Sequence, residues 1–318
     1  MVGRRLVPGR ARPMVPRRAW LTWPTAQHVR RGSGDSKASS FETGGGTVRN
    51  VMNKLINSPQ NQGKTEPLAY IEATRRAGYE GIGIRTNRSP GRTYNFNPIV
   101  GNRDLERDVK NALKDSGLEV YDLYSFYLQP EMDWDTLKPA LEFGGEIGCK
   151  YVLIIGDDPD WSRMVDTMGK MIDIIEPLGM KAAIEAFATA LTPMTTCLKF
   201  VADCKPRYVG MCLDPRQQFR DEKGFDSLKP IGHDQQLIPY VQLNDSALEG
   251  SGGVLPGEGF VPLYDYLAAL PDDIDISVEA QIPPNNVYTG MEWAKISVER
   301  IRKYLARYRA SKAPPLLA

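Results

Sequence analysis

Four polar side chains each stand at the end of an apolar run, and their types suit the binding of a divalent metal ion. They are Glu185, Asp214, Gln242 and Glu279. Three carboxylates and one carboxamide supply oxygen ligands, which favour Mn²⁺, Mg²⁺ or Co²⁺ over Zn²⁺, because zinc usually recruits His or Cys. Any one of these side chains alone could instead cap a strand and pair with a nearby Lys or Arg. Four of them on successive strands favour a shared oxygen-ligand site.

The apolar runs that precede these residues are predicted to be buried parallel strands. Such strands are continuously apolar because helices cover both faces of the sheet. The predicted strands cover residues 80–85, 118–124, 151–155, 180–185, 208–213, 238–243 and 274–279. An eighth strand is needed before the first helix, and residues 48–57 are the only candidate.

Regularly spaced glycines predict the helices between these strands. Gly117, Gly148 and Gly179 lie 31 residues apart, and Gly78 occupies the same kind of position earlier in the chain. Glycine suits the left-handed residue that ends a helix. The helices predicted on this basis cover residues 67–78, 103–116, 135–147 and 159–177, and less regular segments predict helices at 192–203, 261–269 and 290–308.

The alternation of helix and strand predicts a (β/α)₈ TIM barrel, an α/β fold in which active sites lie at the carboxyl ends of the strands. Eight such units in roughly 260 residues match the usual size of this fold. An open, doubly wound sheet would require a Gly-rich phosphate loop after its first strand. The sequence contains neither a GxGxxG nor a GxxxxGKS motif, so the barrel is the favoured fold.

The composition separates a basic extension from the barrel. Residues 1–31 contain eight Arg and no acidic residue, and residues 1–48 show no apolar periodicity. We expect residues 1–48 to form a disordered or targeting-like extension ahead of a catalytic domain at 49–312. The formal net charge of the whole chain is +1, so the remainder is acidic, which argues against a nucleic-acid partner.

The same segments bear on localisation, which is predicted to be cytoplasmic. No apolar run approaches the ~18 residues of a membrane-spanning helix, and the basic N-terminal segment lacks the apolar core of a secretory signal. A mitochondrial presequence is the minor alternative, because Pro8, Pro13 and Pro16 oppose the amphipathic helix that it requires. No membrane partner is expected.

Five short runs, in order, resemble the signature of the xylose isomerase-like TIM barrels. This sugar phosphate isomerase/epimerase superfamily includes ketose 3-epimerases, hydroxypyruvate isomerases, inosose dehydratases and 3-dehydroshikimate dehydratases. The likeness extends from about residue 65 to residue 308. The runs are Ala182-Ala183-Ile184-Glu185, Met211-Cys212-Leu213-Asp214, Tyr240-Val241-Gln242-Leu243-Asn244-Asp245, Leu255-Pro256-Gly257-Glu258-Gly259 and Ile276-Ser277-Val278-Glu279.

The resemblance implies a metal held by Glu185, Asp214, Gln242 and Glu279, with Glu185 and Glu279 as the catalytic residues that exchange protons with the substrate. It implies a sugar, sugar acid or cyclitol substrate and a homo-oligomer. The reaction begins with proton removal next to a carbonyl and passes through a metal-stabilised enediolate. Isomerisation or epimerisation is the leading outcome, and β-elimination by a dehydratase or lyase is the alternative.

The chain also departs from the family pattern at three positions. Gln217 stands where many relatives have a substrate-binding His, Gln242 replaces a frequent His ligand, and Arg85 replaces an acid after strand two. Arg85, Gln217 and Glu258 are the predicted substrate-binding residues. Arg85 could instead pair with nearby acids, and Glu258 could be a charge at the barrel rim. These departures keep open a non-catalytic or partner-dependent subunit.

Two further segments and one further function are open at this stage. Asp157, Asp158 and Asp160 could extend the site, although Asp158 is also the predicted N-cap of the helix 159–177. Tyr124, Phe126 and Tyr127 are expected to follow strand three and to line a pocket or pack beneath a loop. A DNA-repair activity like that of endonuclease IV would require a histidine-rich zinc cluster and a basic surface. The sequence has two His in all.

Overall fold

The computed structural model describes residues 53–88, 98–186, 189–221, 223–247, 253–282 and 288–312. The predicted extension, residues 1–48, lies outside these ranges. The described segments form a closed barrel of parallel strands with helices between them. The predicted (β/α)₈ TIM barrel is therefore confirmed.

Eight parallel strands form the barrel wall. They are β1 (Leu55–Asn57), β2 (Gly81–Ile84), β3 (Glu119–Leu128), β4 (Tyr151–Gly156), β5 (Lys181–Glu185), β6 (Val209–Leu213), β7 (Tyr240–Leu243) and β8 (Asp275–Val278). Each strand pairs with its neighbours in chain order, and β8 closes the barrel by pairing with β1. All eight carboxyl ends therefore face the same rim.

Eight α-helices alternate with these strands or follow them. They are α1 (Pro67–Ala77), α2 (Arg103–Ser116), α3 (Trp134–Glu146), α4 (Trp161–Ile175), α5 (Met194–Asp203), α6 (Pro215–Arg220), α7 (Leu263–Ala268) and α8 (Gly290–Lys312). Two short 3₁₀ helices cover Pro59–Gln62 and Gly224–Leu228. None of the helices in the described ranges combines the length and apolarity that crossing a membrane requires.

The glycines that predicted the helix ends adopt the backbone conformation expected of them. Gly78 and Gly117 are the C-caps of α1 and α2, with φ of 84° and 71°. Gly148 and Gly179 also have positive φ, 67° and 78°. A side chain is strained in this region, so glycine is the residue that lets the chain turn from each helix toward the next strand.

The predicted start of α4 was wrong by two residues. Asp160, not Asp158, accepts the capping hydrogen bond from the Arg163 amide, at 2.9 Å. Asp158 is buried and instead accepts two hydrogen bonds from the Arg163 guanidinium, each of 2.7 Å. Asp160 caps the helix because the Asp158 carboxylate is occupied by this ion pair.

The third strand is longer than predicted. β3 continues to Leu128, so Tyr124, Phe126 and Tyr127 lie within the strand rather than after it. The pairing with β4 shifts register between Leu123 and Phe126, as at a β-bulge, which redirects side chains locally. The first strand, in contrast, includes only the last three residues of the predicted candidate segment.

The barrel interior is a small aromatic and aliphatic core. Its buried members are Ile56, Tyr121, Tyr124, Leu153, Ala183, Cys212 and Tyr240. Tyr151 packs against them, and the ring centroids of Tyr151 and Tyr240 lie 5.3 Å apart. A much larger apolar core fills the space between the strands and the helices. The interior core forms a solid floor beneath the rim at which the strands end.

Candidate functional site

The barrel places the four predicted ligand residues on neighbouring strands at one rim. Glu185 is the last residue of β5, Asp214 follows β6 directly, Gln242 is near the end of β7, and Glu279 follows β8. All four are buried, with at most 5% of their surface exposed. Strands β5, β6, β7 and β8 pair in that order, so these polar groups follow one another along about half of the rim.

The charges of neighbouring carboxyl groups act on the two glutamates of this cluster. Burial raises the pKa of Glu185 well above its ordinary value, and the charges of Glu279 and Asp214 raise it further. Burial also raises the pKa of Glu279, with the charge of Asp214 as the next cause. Like charges held together in a dry site favour the protonated form. Such perturbed carboxyl groups are typical of functional sites.

Asp214 is held by the helix that it precedes. Its side chain accepts a hydrogen bond from the Arg216 amide at 2.7 Å, as the N-cap of α6. Asn244 donates to its Oδ2 at 3.1 Å. Pro215 occupies the first position of the helix, where its fixed φ suits helix initiation. The aspartate carboxyl group is thereby fixed at the rim.

Arg216 is a member of the site that the sequence prediction missed. Its Nη2 lies 3.4 Å from Asp214 Oδ2, and only 11% of its side chain is exposed. Its positive charge lowers the pKa of both Glu185 and Glu279. Arg216 lies in the run Asp214-Pro215-Arg216-Gln217, in which only Asp214 and Gln217 were predicted site residues. A guanidinium group therefore offsets part of the charge of the three carboxyl groups.

Glu279 is fixed through both its main chain and its side chain. Asn61 donates to the Val278 carbonyl and accepts from the Ala280 amide, both at 2.8 Å, and so holds the chain on either side of Glu279. Tyr124 Oη donates to Glu279 Oε1 at 3.0 Å. Glu279 Oε2 is buried and has no hydrogen-bond partner among the described residues. The two carboxyl oxygens are therefore not equivalent.

Gln242 is the least satisfied member of the cluster. Its side chain is fully buried, and neither Oε1 nor Nε2 has a hydrogen-bond partner within the described part of the chain. A buried amide without partners is destabilising by roughly 1–3 kcal/mol. Unmet polar atoms at the rim, beside three carboxyl groups, fit a site that receives a polar ligand or a cation.

The donor chemistry of the cluster fits a hard divalent cation, while its geometry does not by itself form a metal centre. Glu279 Oε2 and Gln242 Oε1 are buried oxygens without partners in the described ranges, and oxygen donors suit Mn²⁺ and Mg²⁺. Across the same ranges, no group of three His, Cys, Asp or Glu side chains has the arrangement of a metal site. The types of the donor atoms, rather than their arrangement, therefore favour a cation at this position.

Arg85 lies between the site and a separate cavity. Its guanidinium Nη2 donates to the Pro59 carbonyl at 3.2 Å and to Gln60 Oε1 at 3.4 Å, and its Cζ lies 4.8 Å from the ring centroid of Tyr124. Arg85 also lines a cavity of about 200 Å³. The other lining residues are Thr86, Asn87, Arg88, Pro98, Val100, Thr136 and Leu137.

The remaining predicted site residues have other surroundings. Gln217 is half-buried on α6, in the turn that follows Asp214. Glu258 forms an ion pair with Arg300 in which both side chains are largely exposed. Asp157 accepts a hydrogen bond from Gln129 Nε2 at 3.1 Å. The roles of Gln217 and Glu258 in substrate binding stay predictions.

Gly257 and Gly259, in the loop before α7, have a structural reason to be glycine. A Cβ atom at 259 would lie 2.1 Å from the Ser246 carbonyl oxygen, which no side chain tolerates. Gly257 has φ of +86°, and its amide donates to Asp245 Oδ2 at 3.0 Å. Asp245 and Ser246 form a small antiparallel ribbon with Gly253 and Val254, so this loop packs closely behind the end of β7.

Comparison with known proteins places the chain in a family. The sequence profile of the xylose isomerase-like TIM barrel family matches residues 71–303. A search of curated protein sequences gives no significant match.

Many solved structures have the same fold. A xylose isomerase domain protein from Alicyclobacillus acidocaldarius is 17% identical, has a TM-score of 0.62 and aligns over 81% of this chain and 99% of its own. The IolI protein, solved with a zinc atom, is 19% identical, with a TM-score of 0.61 and coverage of 80% and 99%.

A third solved structure is that of the D-allulose 3-epimerase of a Methylomonas species in complex with D-allulose. It is 16% identical, with a TM-score of 0.60, and aligns over 79% of this chain and 96% of its own. At these identities the structural matches establish the fold, whereas the profile covers well over half of the sequence. The chain therefore belongs to the xylose isomerase-like TIM barrel family.

Proposed function

We propose that this protein is a divalent-metal-dependent isomerase or epimerase that removes a proton next to a carbonyl group of a sugar, sugar acid or cyclitol. The observation that carries the proposal is the pair Glu185 and Glu279, two buried carboxyl groups of raised pKa at the active rim of the barrel. Catalytic acids and bases need a pKa near the working pH. Burial and neighbouring charges raise the pKa of both glutamates from their ordinary value, which is the direction that this role requires.

Two carboxyl groups suit a reaction that removes a proton and returns it. One carboxylate takes the proton from the carbon next to the carbonyl group, and the other, protonated, delivers a proton to the same carbon or to its neighbour. Delivery to the opposite face of the same carbon gives epimerisation, and delivery to the neighbouring carbon gives isomerisation. Glu185 on β5 and Glu279 after β8 come from different parts of the wall, so they can approach a substrate from different sides.

Glu185, Asp214, Gln242 and Glu279 are the residues that would hold the metal. When bound, a divalent cation polarises the carbonyl oxygen and stabilises the negative charge that develops on it. The partnerless oxygens of Glu279 and Gln242 support this assignment, since a cation would satisfy both. The guanidinium group of Arg216, which lies beside Asp214, would help to stabilise the same negative charge.

Substrate recognition is assigned to Arg85, Gln217 and Glu258. Arg85 is the best supported of the three, because it lines a cavity and stacks on Tyr124, which itself contacts Glu279. A guanidinium group can bind a carboxylate or neighbouring hydroxyl groups through several donors. The epimerase from Methylomonas was solved with D-allulose, and a sugar of similar size is a reasonable ligand for this chain.

Proton exchange in heavy water tests the proposal whichever product follows. The purified protein is incubated with Mn²⁺ and a panel of keto-sugars and keto-acids, and deuterium is sought by NMR at the carbon next to the carbonyl group. We expect metal-dependent deuterium incorporation that excess chelator abolishes. Exchange that persists at full rate in chelator would contradict the metal assignment. A protein that stays metal-free after incubation with Mn²⁺, by elemental analysis, would favour a non-catalytic subunit.

A further inference from the structure

A short chain of hydrogen bonds leads from Arg85 to Glu279, and its direction is fixed by chemistry. Arg85 Nη2 lies 3.4 Å from Gln60 Oε1, Gln60 Nε2 lies 2.7 Å from Tyr124 Oη, and Tyr124 Oη lies 3.0 Å from Glu279 Oε1. A guanidinium group can only donate, so the oxygen of the Gln60 amide faces Arg85. The nitrogen of that amide then faces Tyr124, where it too can only donate.

This direction of donation determines which atom receives the proton of the Tyr124 hydroxyl group. Because the Gln60 amide donates to Tyr124 Oη, the hydroxyl proton is left for Glu279 Oε1. Tyr124 is buried, with 6% of its surface exposed, so no bulk water competes for this proton. The four groups therefore form a one-way series of donors that ends on a single oxygen of Glu279.

From this series we infer that Tyr124 is a positioning residue, which holds Glu279 by Oε1 and directs Oε2 toward the cation or the substrate. The inference deepens the proposed function and rests on it for the role of Glu279. Asn61 holds the main chain on both sides of Glu279, so the tyrosine controls the remaining freedom, that of the side chain. Gln60 and Asn61 belong to the same 3₁₀ helix, which thus supports Glu279 at two points.

The polarity of the series gives the inference a sharp test. Gln60→Glu keeps the shape of the side chain but turns its donor into an acceptor. The introduced carboxylate would then accept the hydrogen bond of the Tyr124 hydroxyl group, and the lone pairs of Tyr124 would face Glu279 Oε1. Gln60→Met removes the donor and leaves Tyr124 free to donate to Glu279. Gln60 is half-buried, so both substitutions should preserve folding.

We expect Tyr124→Phe and Gln60→Glu to lower kcat for proton exchange by about 10- to 100-fold, the usual effect of losing a group that orients a ligand. KM for the substrate should change less than threefold, and Gln60→Met should stay within threefold of the wild type in kcat. The matched control is Tyr79→Phe, which removes a buried hydroxyl group that pairs with Ser297 Oγ on α8 at 2.7 Å. If Gln60→Met loses as much activity as Gln60→Glu, the assigned direction is wrong.

Crystal structures of the same variants test the inference without relying on activity. The Glu279 side chain should move in Tyr124→Phe and Gln60→Glu and keep its place in Gln60→Met and Tyr79→Phe. An unmoved Glu279 in all four variants overturns the positioning role even if the wild type is an active epimerase. If Glu279 moves as expected in the variants but the wild-type protein has no exchange activity, the positioning role is supported and the proposed function is refuted.

Discussion

Arg216 Nη2 lies 3.4 Å from Asp214 Oδ2 at the carboxyl end of the barrel, so the carboxyl cluster contains its own cation. The guanidinium group lowers the pKa of Glu185 and Glu279, which burial and neighbouring charges raise. Three carboxyl groups and one guanidinium group leave a net negative charge when all are ionised. The site is therefore suited to binding a further cation, and it should be sensitive to the loss of the Arg216 charge.

Replacing Arg216 should move the pH dependence of activity in a defined direction. Arg216→Gln removes the charge that lowers the pKa of both glutamates, so the ionised base becomes scarcer at a given pH. The acid limb of the rate profile should move to higher pH. We expect kcat at neutral pH to fall by about tenfold or more, since hydrogen bonds to charged groups contribute about 1.5–3 kcal/mol.

Two other substitutions control for the loss of charge. Arg216→Lys keeps the positive charge and should keep the acid limb near its wild-type position. Arg163→Gln removes a guanidinium group that pairs with Asp158 outside the cluster, and should leave the limb unmoved. A rate profile of Arg216→Gln that superimposes on that of the wild type would contradict the electrostatic role.

Glu185→Gln should stabilise the metal-free protein while it abolishes exchange. The pKa of Glu185 is raised in the folded state, so the protonated folded form is favoured and stability is lost as the pH rises above the ordinary pKa of 4.5. Each pKa unit of such a shift corresponds to about 1.4 kcal/mol. The gain in unfolding free energy should be absent near pH 4 and should grow as the pH rises. Urea denaturation in chelator at several pH values measures it.

Glu119→Gln is the matched control, and its effect on the unfolding free energy should have the opposite sign. Ion pairs with Lys150 and Lys54 lower the pKa of Glu119, so its charge stabilises the folded protein at neutral pH. Replacing it should destabilise the protein above pH 5 and leave exchange activity intact. Equal destabilisation by Glu185→Gln and Glu119→Gln would mean that Glu185 is an ordinary ion-paired residue.

Much of the barrel could be predicted from local signals. The glycines at 117, 148 and 179 punctuate helices because few other residues tolerate positive φ, and continuous apolar runs identify strands that are covered on both faces. Once the fold is a closed barrel, residues at successive strand ends must converge. Glu185, Asp214, Gln242 and Glu279 could therefore be grouped before any coordinates were known.

The parts that were missed depend on contacts between distant segments. Phe126 and Tyr127 were expected after strand three, because nothing in their own sequence shows that β3 continues to Leu128 beside β4. Gln60, the partner of Tyr124, lies 64 residues before it. The direction of the long Arg216 side chain depends on what it packs against, and local sequence does not encode that. The choice of Asp160 over Asp158 as the cap of α4 depends on where the Arg163 guanidinium lies.

Gln242→Leu should separate metal binding from folding. The buried amide lacks hydrogen-bond partners in the described ranges, so its removal should raise the unfolding free energy of the metal-free protein by roughly 1–3 kcal/mol. The same change removes an oxygen ligand and should weaken Mn²⁺ binding by at least tenfold. Thermal denaturation and Mn²⁺ titration by electron paramagnetic resonance measure the two effects. Gln218→Leu, which alters another buried amide, on α6, should leave Mn²⁺ affinity unchanged, and unaltered affinity in Gln242→Leu would remove Gln242 from the ligand set.

Asp122 makes a separate contribution to pH-dependent stability from inside the barrel. It accepts a hydrogen bond from Tyr240 at 2.9 Å, and burial raises its pKa to about 6, although Tyr240 and the charge of Arg85 act against the rise. The folded protein therefore binds this proton more tightly than the unfolded chain does, so the stability that it confers below pH 4 is lost as the pH rises through 6.

Asp122→Asn should remove this pH dependence. Relative to the variant, the wild type should lose about 2 kcal/mol of unfolding free energy between pH 4 and pH 7, because folding raises the pKa of Asp122 from 3.8 to about 6. The difference between wild type and variant also contains a smaller contribution from Glu185 and Glu279, because the charge of Asp122 helps to raise the pKa of both glutamates. Urea denaturation across that range makes the measurement. Parallel curves would show that Asp122 titrates at its ordinary pKa and that its place beside Tyr240 is well solvated.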